Sequence, residues 1–251
     1  TTVREMAEQI ASAPAATAGY DVSYPQCGAA LPARPLFGIV GVDGGRVLKA
    51  NPCLSSLISW ARTATDPAPA YYVNTANPGP RVSSFWPSGQ QSPQVCAAAY
   101  PANDSPACAY DYGWNNAQDA YGRAFSAAAT AGAPSPAAAT WWLDVETGNS
   151  WESLQYGASA TYLANDTAAL QGMLDALRAP AEREAGVDLD RDLLGPLRGE
   201  LALTTSSSDG RPVATLLART RDARRTRETM ARLQVPVALR LGPPEAPEPF
   251  Q

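Results

Sequence analysis

Two carboxylates lie two residues apart in residues 142–147, which read Trp-Leu-Asp-Val-Glu-Thr. The apolar residues before them predict a β-strand, and side chains two positions apart on a strand point to the same face. Asp144 and Glu146 are therefore expected to project together, and their mutual repulsion raises the pKa of one of them. A carboxyl group that keeps its proton near neutral pH can act as a general acid.

A third acid, Asp21, lies in residues 19–24, a short predicted strand that ends in a turn. Parallel α/β folds place their chemistry at the ends of strands, so Asp21 is a candidate partner of the acid pair. Two plainer interpretations stay open. An aspartate at this position also caps a turn, and Asp-x-Glu pairs occur by chance.

Aromatic residues are concentrated in the part of the chain that holds these acids, where 19 of the 20 lie at or before Tyr162. Tryptophan and tyrosine rings offer flat faces on which sugar rings stack, although tryptophans also fill protein cores. The candidate substrate-binding residues are Tyr24, Tyr72, Asn74, Trp114 and Trp142.

The chain contains no histidine, which excludes a histidine base, a histidine-rich metal site and a Ser-His-Asp triad. Its formal net charge of −5 argues against nucleic acid or an anionic membrane as the main partner. The sequence contains no run of 18 apolar residues, so it predicts no membrane span. We therefore expect no cofactor and no metal, and neutral substrates such as sugars remain open.

Four cysteines, Cys27, Cys53, Cys96 and Cys108, lie outside any C-x-x-C pair, so a zinc site is not expected. Their even number favours two disulfides, most simply Cys27–Cys53 and Cys96–Cys108. Four cysteines permit three connectivities, and reduced core cysteines are the alternative. Residues 11–18 resemble the linker that follows a removed export signal. Together these features predict a secreted or cell-envelope-associated protein.

Strand-like and helix-like segments alternate four times between residues 19 and 177. Such alternation predicts a parallel α/β sheet with right-handed crossovers, open or closed into a barrel. The predicted strands are residues 19–24, 35–42, 70–75 and 139–146, and the main predicted helices start at Asn51, at Asp111 and at residue 158.

Composition changes near Pro180, where aromatic residues end and charged residues become denser. Residues 200–205 and 212–218 predict two strands, and Asp209-Gly210 between them favours an antiparallel hairpin. The predicted organisation is an N-terminal helix and linker (1–18), an α/β domain (19–178), a small α+β domain (179–242) and a proline-rich tail (243–251).

Residues 19–26 and 142–147 together resemble the first-strand and fourth-strand motifs of family-25 glycoside hydrolases, lysozymes that cut bacterial peptidoglycan. The resemblance covers residues 19–177 and implies a (β/α) TIM-type barrel. It also implies that Glu146 protonates the glycosidic oxygen. Asp144 then assists the substrate's N-acetyl group or stabilises the charged intermediate, and Asp21 orients or tunes both.

The chain is too short to complete such a barrel, because four more βα units need about 120 residues and only 74 follow Leu177. We therefore expect a partial barrel of about four βα units, whose open edges the tail or a second copy of the chain can cover. Residues 185–233 resemble an uncharacterised domain of bacterial envelope proteins. Two functions stay open: a hydrolase of cell-wall polysaccharide, intact or degenerate, and a non-catalytic glycan-binding or interaction module of the cell envelope.

Overall fold

The computed structural model describes residues 18–188, Arg191, 197–208, 211–221, Arg224 and Glu228. The chain divides into two compact units between Ala179 and Pro180, and each unit is described by itself. Most of the predicted N-terminal helix and linker (1–18) and all of the proline-rich tail (243–251) lie outside the described residues.

The first unit contains a four-stranded parallel sheet whose strands lie side by side in chain order. This arrangement confirms the mixed α/β class and the parallel sheet. The strands are β1 (Tyr20–Val22), β2 (Gly38–Gly41), β3 (Ala70–Asn74) and β4 (Trp141–Asp144). The helices are α1 (Leu54–Ala61), α2 (Pro106–Thr130), α3 (Glu152–Tyr156) and α4 (Ala160–Ala185), with 3-10 turns at Tyr24–Gln26 and Pro136–Ala138.

One face of the sheet forms the core of this unit. Strand side chains alternate between the two faces, and Val22, Val40, Tyr71 and Val73 are buried on the first. They pack with buried residues from three helices: Leu57 and Ile58 of α1, Ala117 and Ala120 of α2, and Met173 and Leu177 of α4. The polar and aromatic residues of the other face are thereby left pointing away from the helices.

Several element boundaries differ from the sequence prediction because local capping decides them. Helix α1 begins at Leu54 because the Asn51 side chain accepts a hydrogen bond from the Cys53 amide, 3.0 Å away, in the turn before the helix. Helix α2 begins at Pro106, five residues early, because the Ser105 side chain accepts from the Cys108 amide. Strand β4 ends at Asp144, so Glu146 lies beyond the strand.

Helix α4 differs most from its prediction, because it continues past Leu177 to Ala185 with Pro180 inside it. A proline within a helix removes one backbone hydrogen bond, which is why the sequence predicted an end there. The composition boundary near Pro180 therefore lies within a helix and not within a linker.

Two disulfides join segments that are distant in the chain, Cys27 to Cys53 and Cys96 to Cys108. The first ties the turn after β1 to the start of α1, and the second ties the loop after β3 to the first turn of α2. This pairing is the simplest of the three that four cysteines permit, and it fits an extracellular protein. Within the described residues, no helix is both long and apolar enough to cross a membrane.

The second unit contains two long strands, β5 (Leu197–Ser208) and β6 (Arg211–Thr220). They pair antiparallel from Leu197 opposite Thr220 to Ser208 opposite Arg211, with an irregularity between Arg198 and Leu201. Both strands are longer than the predicted strands at 200–205 and 212–218. The connecting residues 209–210 lie outside the described residues.

Candidate functional site

The face of the sheet away from the helices carries the predicted acids. Because the strands are parallel and in register, Asp21 lies opposite Ile39, Tyr72 opposite Trp142, and Asn74 opposite Asp144. All of these side chains except Asn74 border an open cleft of about 370 Å³. The residues that line the cleft are Asp21, Ile39, Tyr72, Trp142, Leu143, Asp144 and Glu146.

Asp144 is held at the end of β4 by bonds to its side chain and to its backbone. The Asn74 side chain donates from Nδ2 to Asp144 Oδ2 over 3.0 Å and so orients the carboxylate. The backbone oxygen of Asp144 accepts from Thr75 Oγ1 at 2.7 Å and from Asn149 Nδ2 at 3.1 Å. Asp144 is therefore fixed from the neighbouring strand and from its own following turn.

Glu146 lies in the turn after β4, and the backbone of that turn is fixed. Its backbone oxygen accepts from the Asn149 amide at 3.2 Å and from Trp151 Nε1 at 2.8 Å. The residue itself is exposed and lines the cleft beside Asp144. A carboxyl group in this position can reach a molecule bound in the cleft.

Burial and the neighbouring acids raise the affinity of Asp144 for a proton. Burial raises the pKa of Asp144 above its usual value, and the charge of Glu146, a hydrogen bond with Glu146 and the charge of Asp21 raise it further. Burial also raises the pKa of Asp21. The cleft can therefore retain a proton between Asp144 and Glu146 at a pH where an isolated aspartate has lost it.

Tyr72 reaches across β2 toward β1, and Gly41 makes the space for it. A Cβ atom on Gly41 would lie 2.5 Å from Cζ and 2.6 Å from the hydroxyl oxygen of Tyr72. Burial raises the pKa of Tyr72, a hydrogen bond with Ser23 lowers it, and the charges of Asp21 and Asp144 raise it again. The neutral phenol is thus a hydrogen-bonding group placed among the acids.

A buried carboxylate, that of Asp43, binds the backbone of Asn74. Asp43, only 2% exposed, accepts from the Asn74 backbone amide at 3.0 Å and lies 3.3 Å from Arg123 Nη1. Burial raises the pKa of Asp43 to about 7, against the hydrogen bond from Asn74 and the charge of Arg123. The contact joins the loop after β2 to the end of β3, where Asn74 orients Asp144.

Three of the predicted substrate-binding residues, Trp114, Tyr24 and Asn74, do not line the cleft. Trp114 lies on α2, where it stacks on Tyr110 at 6.3 Å between ring centroids and packs against the core. Tyr24 lies in the 3-10 turn after β1, with Lys49 Nζ 6.0 Å from its ring centroid. Asn74 is 9% exposed and binds Asp144, so its main contact is with the acid.

Four residues that hold the site were not predicted: Gly41, Thr75, Asn149 and Trp151. Thr75 and Gly41 act across strands, so their roles depend on a register that the sequence does not specify. Asn149 and Trp151 follow the acid pair within a few residues, and such short polar turns are a usable sequence signal. Within the described residues, no group of three or more Cys, Asp or Glu side chains is arranged to bind a metal ion.

No protein-family model matches this chain, and neither a curated protein nor a solved structure is significantly similar to it. Inference of function therefore depends on the cleft and on the motifs that form it. The cleft can perform acid–base chemistry on a neutral polar molecule, because it holds two adjacent carboxyl groups, a third acid and a phenol. The exposed indole adds a flat face for the bound molecule.

Proposed function

We propose that this protein is a lysozyme-type glycoside hydrolase that acts on bacterial cell-wall glycan, and that its sheet is part of a (β/α) TIM-type barrel. The observation that carries the proposal is the placement of Asp144 and Glu146 side by side in one cleft, with Asp21 beside them. Glycoside hydrolysis commonly uses two carboxyl groups that flank the bond to be broken.

The resemblance to family-25 hydrolases supplies the roles in this proposal. The proton held between Asp144 and Glu146 passes from Glu146 to the glycosidic oxygen, the C–O bond breaks, and the leaving sugar departs as an alcohol. The carbonyl oxygen of the substrate's N-acetyl group bonds to the anomeric carbon while Asp144 accepts the hydrogen bond of the amide. A water molecule then gives one proton to Glu146 while its oxygen bonds to the anomeric carbon. The bond between that carbon and the N-acetyl oxygen breaks, which restores the N-acetyl group and the proton of Glu146.

The aromatic residues of the cleft suit a sugar substrate. Trp142 is 54% exposed on the same face as Asp144, and Tyr72 lies on the adjacent strand. An exposed indole beside carboxylates offers a flat apolar face to the ring of a sugar, while the acids take its polar groups. A secreted or cell-envelope-associated location is part of the proposal, and the two disulfides support it.

Clearing of purified peptidoglycan by wild type and by Glu146→Gln tests the proposal. We expect clearing by wild type and a loss of about 10²-fold or more in the variant, since a positioned general acid contributes about 10²–10⁴. Asp66→Asn, at an exposed carboxylate before β3, is the matched control and should clear like wild type. Circular dichroism of all three must agree, and no clearing by folded wild type would contradict the proposal.

A second candidate, a glycan-binding or interaction module without turnover, is favoured by the openness of the cleft and the exposure of Trp142. In that case Trp142→Ala abolishes co-sedimentation with peptidoglycan, Glu146→Gln keeps it, and wild type releases no products. Strands β1 and β4 each lie at an edge of the four-stranded sheet. We therefore also propose a homo-oligomer in which a second copy of the chain covers these edges. Light scattering that gives a monomer mass at high concentration would contradict the oligomer.

A further inference from the structure

An arginine and three tyrosines form a cluster between the loop that follows β3 and the helices α3 and α4. The guanidinium carbon of Arg81 lies 4.1 Å from the ring centroid of Tyr156 and 5.5 Å from that of Tyr100. Its Nη2 donates a hydrogen bond to the Tyr162 hydroxyl at 3.3 Å. We call these four residues the arginine–tyrosine cluster.

Stacking fixes the plane of the guanidinium group but leaves most of its donors unused. Arginine has five N–H donors, and in the described part of the chain only one of those of Arg81 has a partner, the Tyr162 hydroxyl. No carboxylate of a described residue lies within ion-pair distance of Arg81, whereas Arg123 and Arg178 both pair with aspartates. Arg81 is therefore an exposed, pre-oriented cation that matches the two oxygens of a carboxylate.

The cluster and the acid pair both lie at or beyond the carboxyl ends of the strands. The chain leaves β3 at Asn74, pairs with the loop after β4 through Asn77 and Trp151, and then reaches Arg81. The indole of Trp151 in turn donates to the backbone of Glu146. Tyr156 ends helix α3, which starts directly after Trp151. A long substrate that occupies the cleft can therefore extend toward the cluster.

We infer that the arginine–tyrosine cluster binds a carboxylate on the peptide that branches from the cell-wall glycan, and so selects peptide-bearing glycan over neutral sugar chains. This inference rests on the proposed function, since it names a further group of the same substrate. The tyrosine rings hold the guanidinium plane, and the unused N–H groups donate to the two oxygens of the carboxylate in a two-point contact. The contact is exposed, so added salt weakens it.

Binding to two forms of one ligand tests the inference. The ligands are soluble peptidoglycan strands with their peptides, and the same strands after conversion of the peptide carboxylates to primary amides. The protein is the full chain carrying Glu146→Gln, which prevents turnover. Arg81→Gln is added to it in one sample, and Arg34→Gln in another. Arg34 is exposed in the loop that leads into β2, at the amino ends of the strands and not at the carboxyl ends. Arg34→Gln changes the net charge by the same amount as Arg81→Gln.

We expect the parent protein and the Arg34→Gln control to bind the carboxylate form about five-fold more tightly than the amide form. Arg81→Gln should bind both forms alike, and at the weaker affinity. An undiminished preference in folded Arg81→Gln, or no preference in the parent, would overturn the inference. If wild type clears peptidoglycan, either of these two contrary binding results would leave the proposed hydrolase in place. Arg81-dependent preference without any clearing would support the inference and contradict the hydrolase.

Discussion

The Asn74 side chain orients the carboxylate of Asp144 from the neighbouring strand. Asn74 donates to Asp144 Oδ2 from the neighbouring strand, and Asp43 fixes the backbone of Asn74. Glu146 has its backbone fixed but its side chain exposed. Asp144 is thus held by the protein, whereas the Glu146 side chain is exposed to a bound substrate.

Asn74→Ala should lower kcat of the proposed hydrolase about tenfold and change KM little, because the amide orients an acid and is itself 9% exposed. Loss of the donor also raises the pKa of Asp144, so the limb of the kcat–pH profile that reports it moves to higher pH. Thr75→Val, which removes only a bond to the Asp144 backbone, should leave that limb in place. An unshifted limb in Asn74→Ala would show that Asn74 does not act through Asp144.

Asp43 makes the stability of the protein depend on pH. Its pKa is about 7 in the folded protein, against a usual value of 3.8, so the folded state holds a proton that the unfolded state has lost. This contribution to stability is complete below about pH 4 and is lost as pH rises toward 7. Asp43→Asn should therefore show a smaller fall in Tm between pH 4 and 7 than wild type. Equal falls in Tm would show that Asp43 titrates normally.

Strands and helices bring together groups that are far apart in the chain, and glycine at one strand position makes room for this. Gly41 on β2 lets Tyr72 of β3 lie over it toward Ser23. Strand registers then place Asp21, Tyr72 and Asp144 on one face. The elements therefore determine the shape of the cleft as much as the acids do.

Gly41→Ala should destabilise the protein by about 1–3 kcal/mol, because the new methyl group would overlap Tyr72 in a packed sheet. It should also displace Tyr72 from the cleft. Gly122→Ala is the control, since its added Cβ meets no atom within 4 Å beyond the adjacent backbone of its own helix, and alanine favours a helix. Denaturant unfolding measures both changes. A Gly41→Ala protein as stable as wild type would show that Tyr72 moves aside without cost.

Sequence patterns predicted the strands because their apolar runs are dense. They predicted a shared face for Asp144 and Glu146 from the period of a strand, but β4 ends at Asp144, and the turn after the strand brings Glu146 to the cleft. They did not predict the start of α2, since Ser105 and Pro106 cap the helix five residues before Asp111. Trp114 was an equally good aromatic candidate in sequence, but its helix face packs on the core. Contacts such as Asn74 to Asp144 require strand register, which local sequence does not encode.

At the scale of the whole molecule, disulfides stabilise the loops that surround the sheet. Cys27–Cys53 spans 26 positions and Cys96–Cys108 spans 12, and both lie beside segments that lead to the site. A sheet with one helix-covered face and one open face buries less apolar surface than a closed barrel. Covalent links between loops reduce the entropy of the unfolded chain and offset part of that loss.

Replacing Cys27 and Cys53 together by serine should lower the free energy of unfolding by about 3 kcal/mol, as expected for a loop of this length. Removal of the Cys96–Cys108 link should have a somewhat smaller effect, because its loop is shorter. Urea unfolding of each variant measures the change, and mass spectrometry of the alkylated protein counts free thiols. Four free thiols in the native protein would contradict both disulfides.

The most direct test of the central claim is the release of reducing sugar ends from purified peptidoglycan by wild type and by Glu146→Gln. New reducing ends report cleavage of glycosidic bonds, whereas clearing alone can also follow from cleavage of the peptides. We predict steady release by wild type and a rate at least about 10²-fold lower in the folded variant. Equal rates in the two proteins, or no release by a folded wild type, would contradict the assignment of the Asp144–Glu146 pair as a glycosidase site.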